Sequence, residues 1–163
     1  MKKSPHPKRV PPLRAANRDE LGGAPLRPLD VKRAKLYAKA MAAVRGGTEW
    51  LTAAEVAEYA GLGPVNPVAT VRRWEKHGRI FNLRWGGKDY YPRYTLGADF
   101  HPLPVIKDIL AVLGVYDSDL LAAWFDSTSR YLGGRRPREL VATAPADVLA
   151  AARNLIEVQE NHG

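Results

Sequence analysis

The sequence predicts a mainly α chain with one small β-hairpin, and three observations predict it. Apolar residues recur at helical spacing along most of the chain beyond Asp30, as at Val105, Ile106, Ile109, Leu110 and Leu113. Start and stop signals bracket these runs: capping residues before them, prolines in their first turn, glycines after them. One stretch breaks the pattern. In "RIFNLRWGGKDYYPRY", residues 79–94, apolar and polar residues partly alternate around Gly86-Gly87, a two-residue hairpin turn signal flanked by β-formers.

The first 29 residues hold many of the 13 prolines and little apolar periodicity, which predicts a disordered basic arm. From Asp30 a helix is expected, with Val31, Ala34, Ala38 and Met41 on one face and Gly46-Gly47 as its stop. "LTAAEV" then carries a strong start signal: Thr52 as N-cap, Glu55 closing a capping box, Leu51 and Val56 as a hydrophobic staple. That helix ends near Gly61. Asn66-Pro67 reads as a second N-cap followed by proline at the first helical position. Val68, Val71 and Trp74 form the stripe of this next helix, Arg72, Arg73 and Lys76 lie largely off it, and Gly78 ends it. Pro92 places the second strand of the hairpin at a sheet edge. Beyond Phe100 helices return. One stops at Gly114; one, capped within "DSD" at 117–119, carries Leu120, Leu121, Trp124 and Phe125. Pro137 opens a short helix around Leu140, and Pro145 opens a longer one with Val148, Leu149, Ala152, Leu155 and Ile156 on one side.

Charge separates the chain into zones. The net charge is +8, but residues 1–45 carry +9 and residues 72–93 carry +5, while residues 46–71 and 94–163 carry −3 each. Positive charge thus gathers in the arm and in one short window, which points to an anionic polymer at the front of the chain and a different partner at the back. There is no Cys, which excludes disulfides and thiolate metal sites and suits a reducing cytoplasm. No apolar run approaches the roughly 18 residues of a membrane span, and no hydrophobic signal core follows the basic N-terminus.

Two short helices with a tight connection and then a hairpin is the order of a winged helix-turn-helix, whose second helix enters the major groove. On that reading Thr70, Arg72, Arg73 and Lys76 face double-stranded DNA, and Arg84, Lys88 and Arg93 on the hairpin meet phosphates. The spacing of Thr52, Glu55, Ala57, Val71, Trp74 and Gly78 also resembles the DNA-binding heads of MerR-like and excisionase-like proteins. Tyr90, Tyr91 and Tyr94 offer a stacking platform for single strands, but inward packing of alternate members is the preferred reading.

Catalytic signals are missing. His6, His77, His101 and His162 do not pair at metal spacing, and there is no HExxH or G-x-S-x-G. "YLGGRRPREL", residues 131–140, lacks the Lys-Ser/Thr of a phosphate loop. Its Gly133-Gly134 pair is instead expected to end a helical run with backbone angles that other residues avoid, just before Pro137 opens the next helix. Neither an enzyme nor a bound cofactor or metal is expected.

The line formed by Pro102, Pro104, Ile106, Leu110, Leu113, Trp124, Leu132, Gly133, Gly134, Pro137, Leu140 and Val148 is similar to the C-terminal toxin-binding domain of the Xre/MbcA/ParS antitoxins. The resemblance implies an antitoxin of a type II toxin–antitoxin pair: a cytoplasmic homodimer that binds its own operator and caps a cognate toxin, often a RES-domain enzyme acting on NAD. It also implies that the segment around Arg153 and Glu157 lies across the toxin's active-site entrance. Position 136, commonly a Thr or Ser cap in that family, is Arg136 here. An arginine cannot accept first-turn N–H groups, and its charge opposes the helix start. Arg135, Arg136 and Arg138 are therefore candidate toxin contacts, with a solvated basic corner as the alternative. The expected organisation is a basic arm over 1–29, a winged helix-turn-helix domain with a leading helix over 30–98, and a small helical toxin-binding domain over 99–163. Two other functions remain open: a stand-alone transcription regulator whose C-terminal domain only oligomerises, and an architectural DNA-binding protein.

Overall fold

The computed structural model describes residues 27–163, so the arm expected over 1–29 lies almost wholly outside the described residues. The chain divides after Lys35 into two units, Met1–Lys35 and Leu36–Gly163. The first ends in the opening turns of helix α1 (Pro28–Gly46). In the second, the last turns of α1 bury Met41 and Val44, while Ala38, expected on the buried face, is exposed.

The described residues are mainly helical, with a small three-stranded antiparallel sheet. Strand β1 (Trp50–Leu51) was not expected. It leads into α2 (Ala53–Tyr59), which packs on α3 (Pro67–Lys76); strands β2 (Leu83–Trp85) and β3 (Lys88–Pro92) follow. The strand order is β1-β3-β2, so β3 is central. This corrects the edge position inferred from Pro92. Pro92 is the last residue of β3 and stands opposite Trp50. The adjoining ladder bond runs from the Arg93 N–H to the Glu49 carbonyl at 2.9 Å, which makes Pro92–Trp50 a non-hydrogen-bonded pair. The proline therefore removes no ladder bond. Gly86 and Gly87 have φ of 56° and 75°, the pair of positive angles that a tight hairpin of this twist demands.

Helix α2 begins as expected. The Glu55 N–H donates to Thr52 Oγ1 at 3.2 Å and the Thr52 N–H to Glu55 Oε1 at 3.1 Å. Asn66 stands at the N-cap of α3 but does not cap it. Its backbone is left-handed, at φ 51° and ψ 54°, and its side chain makes no cap bond. Asparagine is there because it tolerates that conformation better than other residues do.

Two apolar clusters hold residues 36–163 together. The smaller lies beneath α2 and α3 and includes Leu51, Val56, Val71, Trp74, Ile80 and Tyr91. The larger joins Met41, Val44, Phe81 and Leu83 to the C-terminal helices through Ile106, Leu113, Phe125 and Val148. Ile80 and Phe81 are consecutive yet enter different clusters. Phe81 stacks on Phe125 with ring centroids 5.8 Å apart. Residues 36–163 form one compact unit, and the division expected at 98/99 falls inside it.

The C-terminal part contains α4 (Pro104–Val112), α5 (Ser118–Asp126), α6 (Pro137–Leu140) and α7 (Pro145–Asn161). Asp117 caps α5, accepting from the Leu120 N–H at 3.0 Å. After the 3₁₀ turn Arg130–Leu132, Gly133 and Gly134 take φ of 65° and 82°. They let Ser129 and Arg135 bridge back to each other before Pro137 opens α6, so the helix joint read from the sequence is present. Among the described residues no helix is long and apolar enough to cross a membrane.

Candidate nucleic-acid interface

Helix α3 buries Val71 and Trp74 and turns its other side outward. Ala69, Arg72, Arg73, Lys76 and His77 line one shallow groove along it. Arg73 and Lys76 are exposed, and neither is in an ion pair among the described residues. A second depression lies between the start of α2, helix α3 and the hairpin turn, with Arg72, Arg84, Lys88 and Asp89 on its walls. Arg72 belongs to both.

A polar network ties α3 to the hairpin. Arg72 Nη1 donates to Asp89 Oδ2 at 2.8 Å and to Tyr91 Oη at 3.1 Å, and lies 3.7 Å from Glu75 Oε2. The Tyr91 hydroxyl in turn donates to Glu75 Oε2 at 2.6 Å, and Asn82 Nδ2 donates to Glu75 Oε1. The other oxygen of Asp89 accepts from Arg84 Nη1 at 2.9 Å, and Arg84 Nη2 reaches the Gly87 carbonyl at 3.2 Å. Asp89 is thus shared by two guanidinium groups. The Arg72 hydrogen bond, then the Arg84 one, outweighs partial burial and holds its carboxyl below the usual range. The same bond with Asp89 raises Arg72. Burial, and then the bond to Glu75, raises the Tyr91 phenol far beyond the neutral range, so it serves as a fixed donor.

The structure brings together Arg72, Arg73, Lys76, Arg84 and Lys88 of the residues expected to meet DNA. Thr70 is half-buried on α3 and lines neither depression. Arg93 is not on the hairpin. It opens the 3₁₀ turn Arg93–Thr95, its Nη1 donating to the Leu96 and Gly97 carbonyls at 2.8 and 3.0 Å, with the guanidinium 4.0 Å from the Phe100 ring centroid. It is spent on its own turn. Of the tyrosines, Tyr91 is buried, Tyr90 stacks on Trp85 at 4.0 Å, and the Tyr94 hydroxyl is buried without a partner among the described residues. They form no exposed platform.

Asp89 and Glu75 were missed, and so was the hydrogen bonding of Tyr91, which was read for stacking and packing alone. For Asp89 a signal existed: once Gly86-Gly87 is the turn, Arg84 and Asp89 must face each other, as they do. The bond from Arg72 to Asp89 depends on how α3 docks, which no local pattern records.

A second arginine cluster lies at the C-terminal joint. Arg136 Nε donates to the Asp126 carbonyl at 2.7 Å, and Arg138 Nε donates to Asp126 Oδ1 at 2.7 Å. This corrects the view that Arg136 lacks a structural reason: it covers the C-terminal end of α5, where open carbonyls attract a cation. Glu139 accepts from the Arg136 backbone N–H at 3.3 Å and from Arg135 Nε at 3.1 Å, and the Arg135 contact holds its carboxyl below the usual range. Arg153 and Glu157 are exposed on α7. Between the end of α5, the 127–131 segment and α7 runs a shallow groove with Trp124, Tyr131, Leu155 and Val158 on its walls; Tyr131 is 55% exposed and Val158 46%.

The sequence matches no protein-family model and no curated protein. Among solved structures it is similar to the NMR structure of Rv2175c, with a TM-score of 0.56 and 19% identity over 66% of this chain and 81% of that chain. At that identity the likeness concerns the fold alone.

Proposed function

We propose that this chain is an antitoxin-type regulator, with α2, α3 and the β2–β3 hairpin acting as a winged helix-turn-helix on operator DNA. The observation that carries the DNA reading is the placement of Arg73, Lys76 and Lys88, exposed cations on adjoining surfaces of α3 and the hairpin turn. Phosphate neutralisation by such groups supplies affinity and makes it fall with salt. Titration of full-length protein onto duplex DNA at several salt concentrations tests this. Removing Arg73 or Lys76 is expected to lower affinity similarly for all sequences and to flatten the salt slope by about 1 each. Binding that is insensitive to salt refutes the reading.

The antitoxin half rests on the Xre/MbcA/ParS resemblance and on the groove at Trp124, Tyr131, Leu155 and Val158, partly apolar and partly exposed. A toxin, a RES-domain enzyme in the fullest form of the proposal, would seat there and meet Arg135, Arg153 and Glu157 from a homodimeric antitoxin. Co-expression of the full chain with the product of the adjacent gene is the test. Restored growth is expected, and Tyr131→Asp with Val158→Asp should abolish it.

A second reading, a stand-alone transcription regulator, is favoured by one observation. Arg136 and Arg138 are engaged with Asp126 rather than presented to a partner. A neighbouring gene whose product is harmless, with operator binding intact, decides for it.

A further inference from the structure

We propose that Arg72 is the residue that reads a base, a guanine in the major groove, while Arg73, Lys76 and Lys88 hold phosphates. This deepens the DNA-binding reading and rests on it.

Arg72 is occupied at one nitrogen of its guanidinium. Its contacts to Asp89, Tyr91 and Glu75 all run through Nη1. Nε and Nη2 have no partner among the described residues, and the side chain is 47% exposed. Those two nitrogens carry parallel N–H bonds on one edge of the planar group. The guanidinium is therefore anchored at one end and presents a two-donor fork at the other. A free arginine loses much rotamer freedom when it binds; one already fixed by Asp89 and Tyr91 loses less.

Charge supports the division of labour. Arg72 and Arg84 are matched by Glu75 and Asp89, so this quartet is neutral and adds little attraction for phosphate. Two carboxylates beside a DNA-facing arginine are unfavourable for a backbone contact. They are useful if geometry rather than charge is required. The acceptors that fit a parallel pair of donors are N7 and O6 of guanine. Adenine offers N7 beside a donor amino group and leaves one arm of the fork facing a donor.

Selection from random-sequence duplexes by full-length protein, followed by titration of the selected site and its single-base changes, tests this. One guanine per half-site should be preferred by about tenfold or more over other bases. Arg72→Lys keeps the charge and removes the fork: the preference should fall to below about threefold with the salt slope unchanged, because the phosphate contacts stay. Asp89→Ala keeps the arginine and removes its anchor. It should lower discrimination while raising affinity for arbitrary DNA, since a negative charge leaves the surface. A merely structural Arg72–Asp89 pair would move stability, not base preference, and thermal melts of both variants report that separately. Retention of the wild-type base preference in R72K, or equal loss on every sequence, overturns the assignment and leaves DNA binding standing. If the wild type binds no duplex at low salt, DNA binding itself fails and the assignment with it. Should R72K not fold, the Asp89→Ala outcome decides alone.

Discussion

Two places in this molecule set an aspartate between two arginines, and they are used differently. At the hairpin, Asp89 accepts from Arg72 and Arg84, whose side chains are 47% and 65% exposed. At the C-terminal joint, Asp126 receives Arg138 on its carboxylate and Arg136 on its carbonyl, and the Asp126–Arg138 pair is only 17% and 22% exposed. Water screens the first arrangement and leaves donor edges free. In the second, Arg138 is mostly withdrawn from water and joins α6 to α5 while Arg136 stays 40% exposed, and Gly47 lies so close that a Cβ there would stand 2.4 Å from Asp126 Oδ1. The lesson is that arginine count says little about function until each guanidinium edge has been assigned. The "RRPR" run, the densest local cluster of charge in the C-terminal half, mostly holds helices together, whereas Arg72 on α3 is anchored through one nitrogen and keeps an open edge.

The strongest blow to this comparison would come from the core that joins Phe81 and Leu83 to the C-terminal helices. Phe125 is fully buried and packs against Phe81 and Tyr94. Phe125→Ala should cost about 3–5 kcal/mol and shift urea unfolding as one transition seen from both halves. Two separated transitions would mean that the hairpin region and the C-terminal helices stand independently. Next in size is Asp126→Ala, which leaves Arg138 without its partner in a mostly buried setting. About 2–3 kcal/mol is expected, and a loss under about 0.5 kcal/mol would place this pair with the screened ones. Asp89→Asn is the smallest, below about 1 kcal/mol at neutral pH because its partners are exposed. Its pH dependence has a sign. Asp89 titrates below the ordinary carboxylate range, so its contribution is present above roughly pH 4 and fades as pH falls through the lowered value. Acid titration of stability should be shallower in the Asn variant than in the wild type; identical acid limbs would show that Asp89 is not held by Arg72.

How much of this was readable in the sequence follows the range of the forces involved. Caps, turns and glycine joints are local, and Thr52–Glu55, Asp117, Gly86-Gly87 and Gly133-Gly134 all stand as their neighbours dictate. Strand β1 was invisible because two residues carry no period, and its presence is what moved β3 from the edge to the centre. Asn66 misled because the same residue type serves as a cap and as a left-handed corner. The cations of the candidate interface were legible as charge off an apolar stripe. Their roles were not, since the fates of Arg72, Arg93 and Arg136 depend on acceptors supplied by docking, turning and packing of other segments.

Phe81 and Leu83 belong by sequence to the stretch that leads into the hairpin, yet they are lodged among the C-terminal helices. That sets limits on recombination. A chimera that cuts this chain after residue 98 and grafts a foreign front segment would leave the sockets of Met41, Val44, Phe81 and Leu83 in the larger cluster unfilled, and the discarded segment would carry those apolar side chains naked. Descendants of this chain should therefore inherit residues 41, 44, 81 and 83 together with the C-terminal helices, and a designer exchanging its front end should keep those four positions apolar whatever head is chosen.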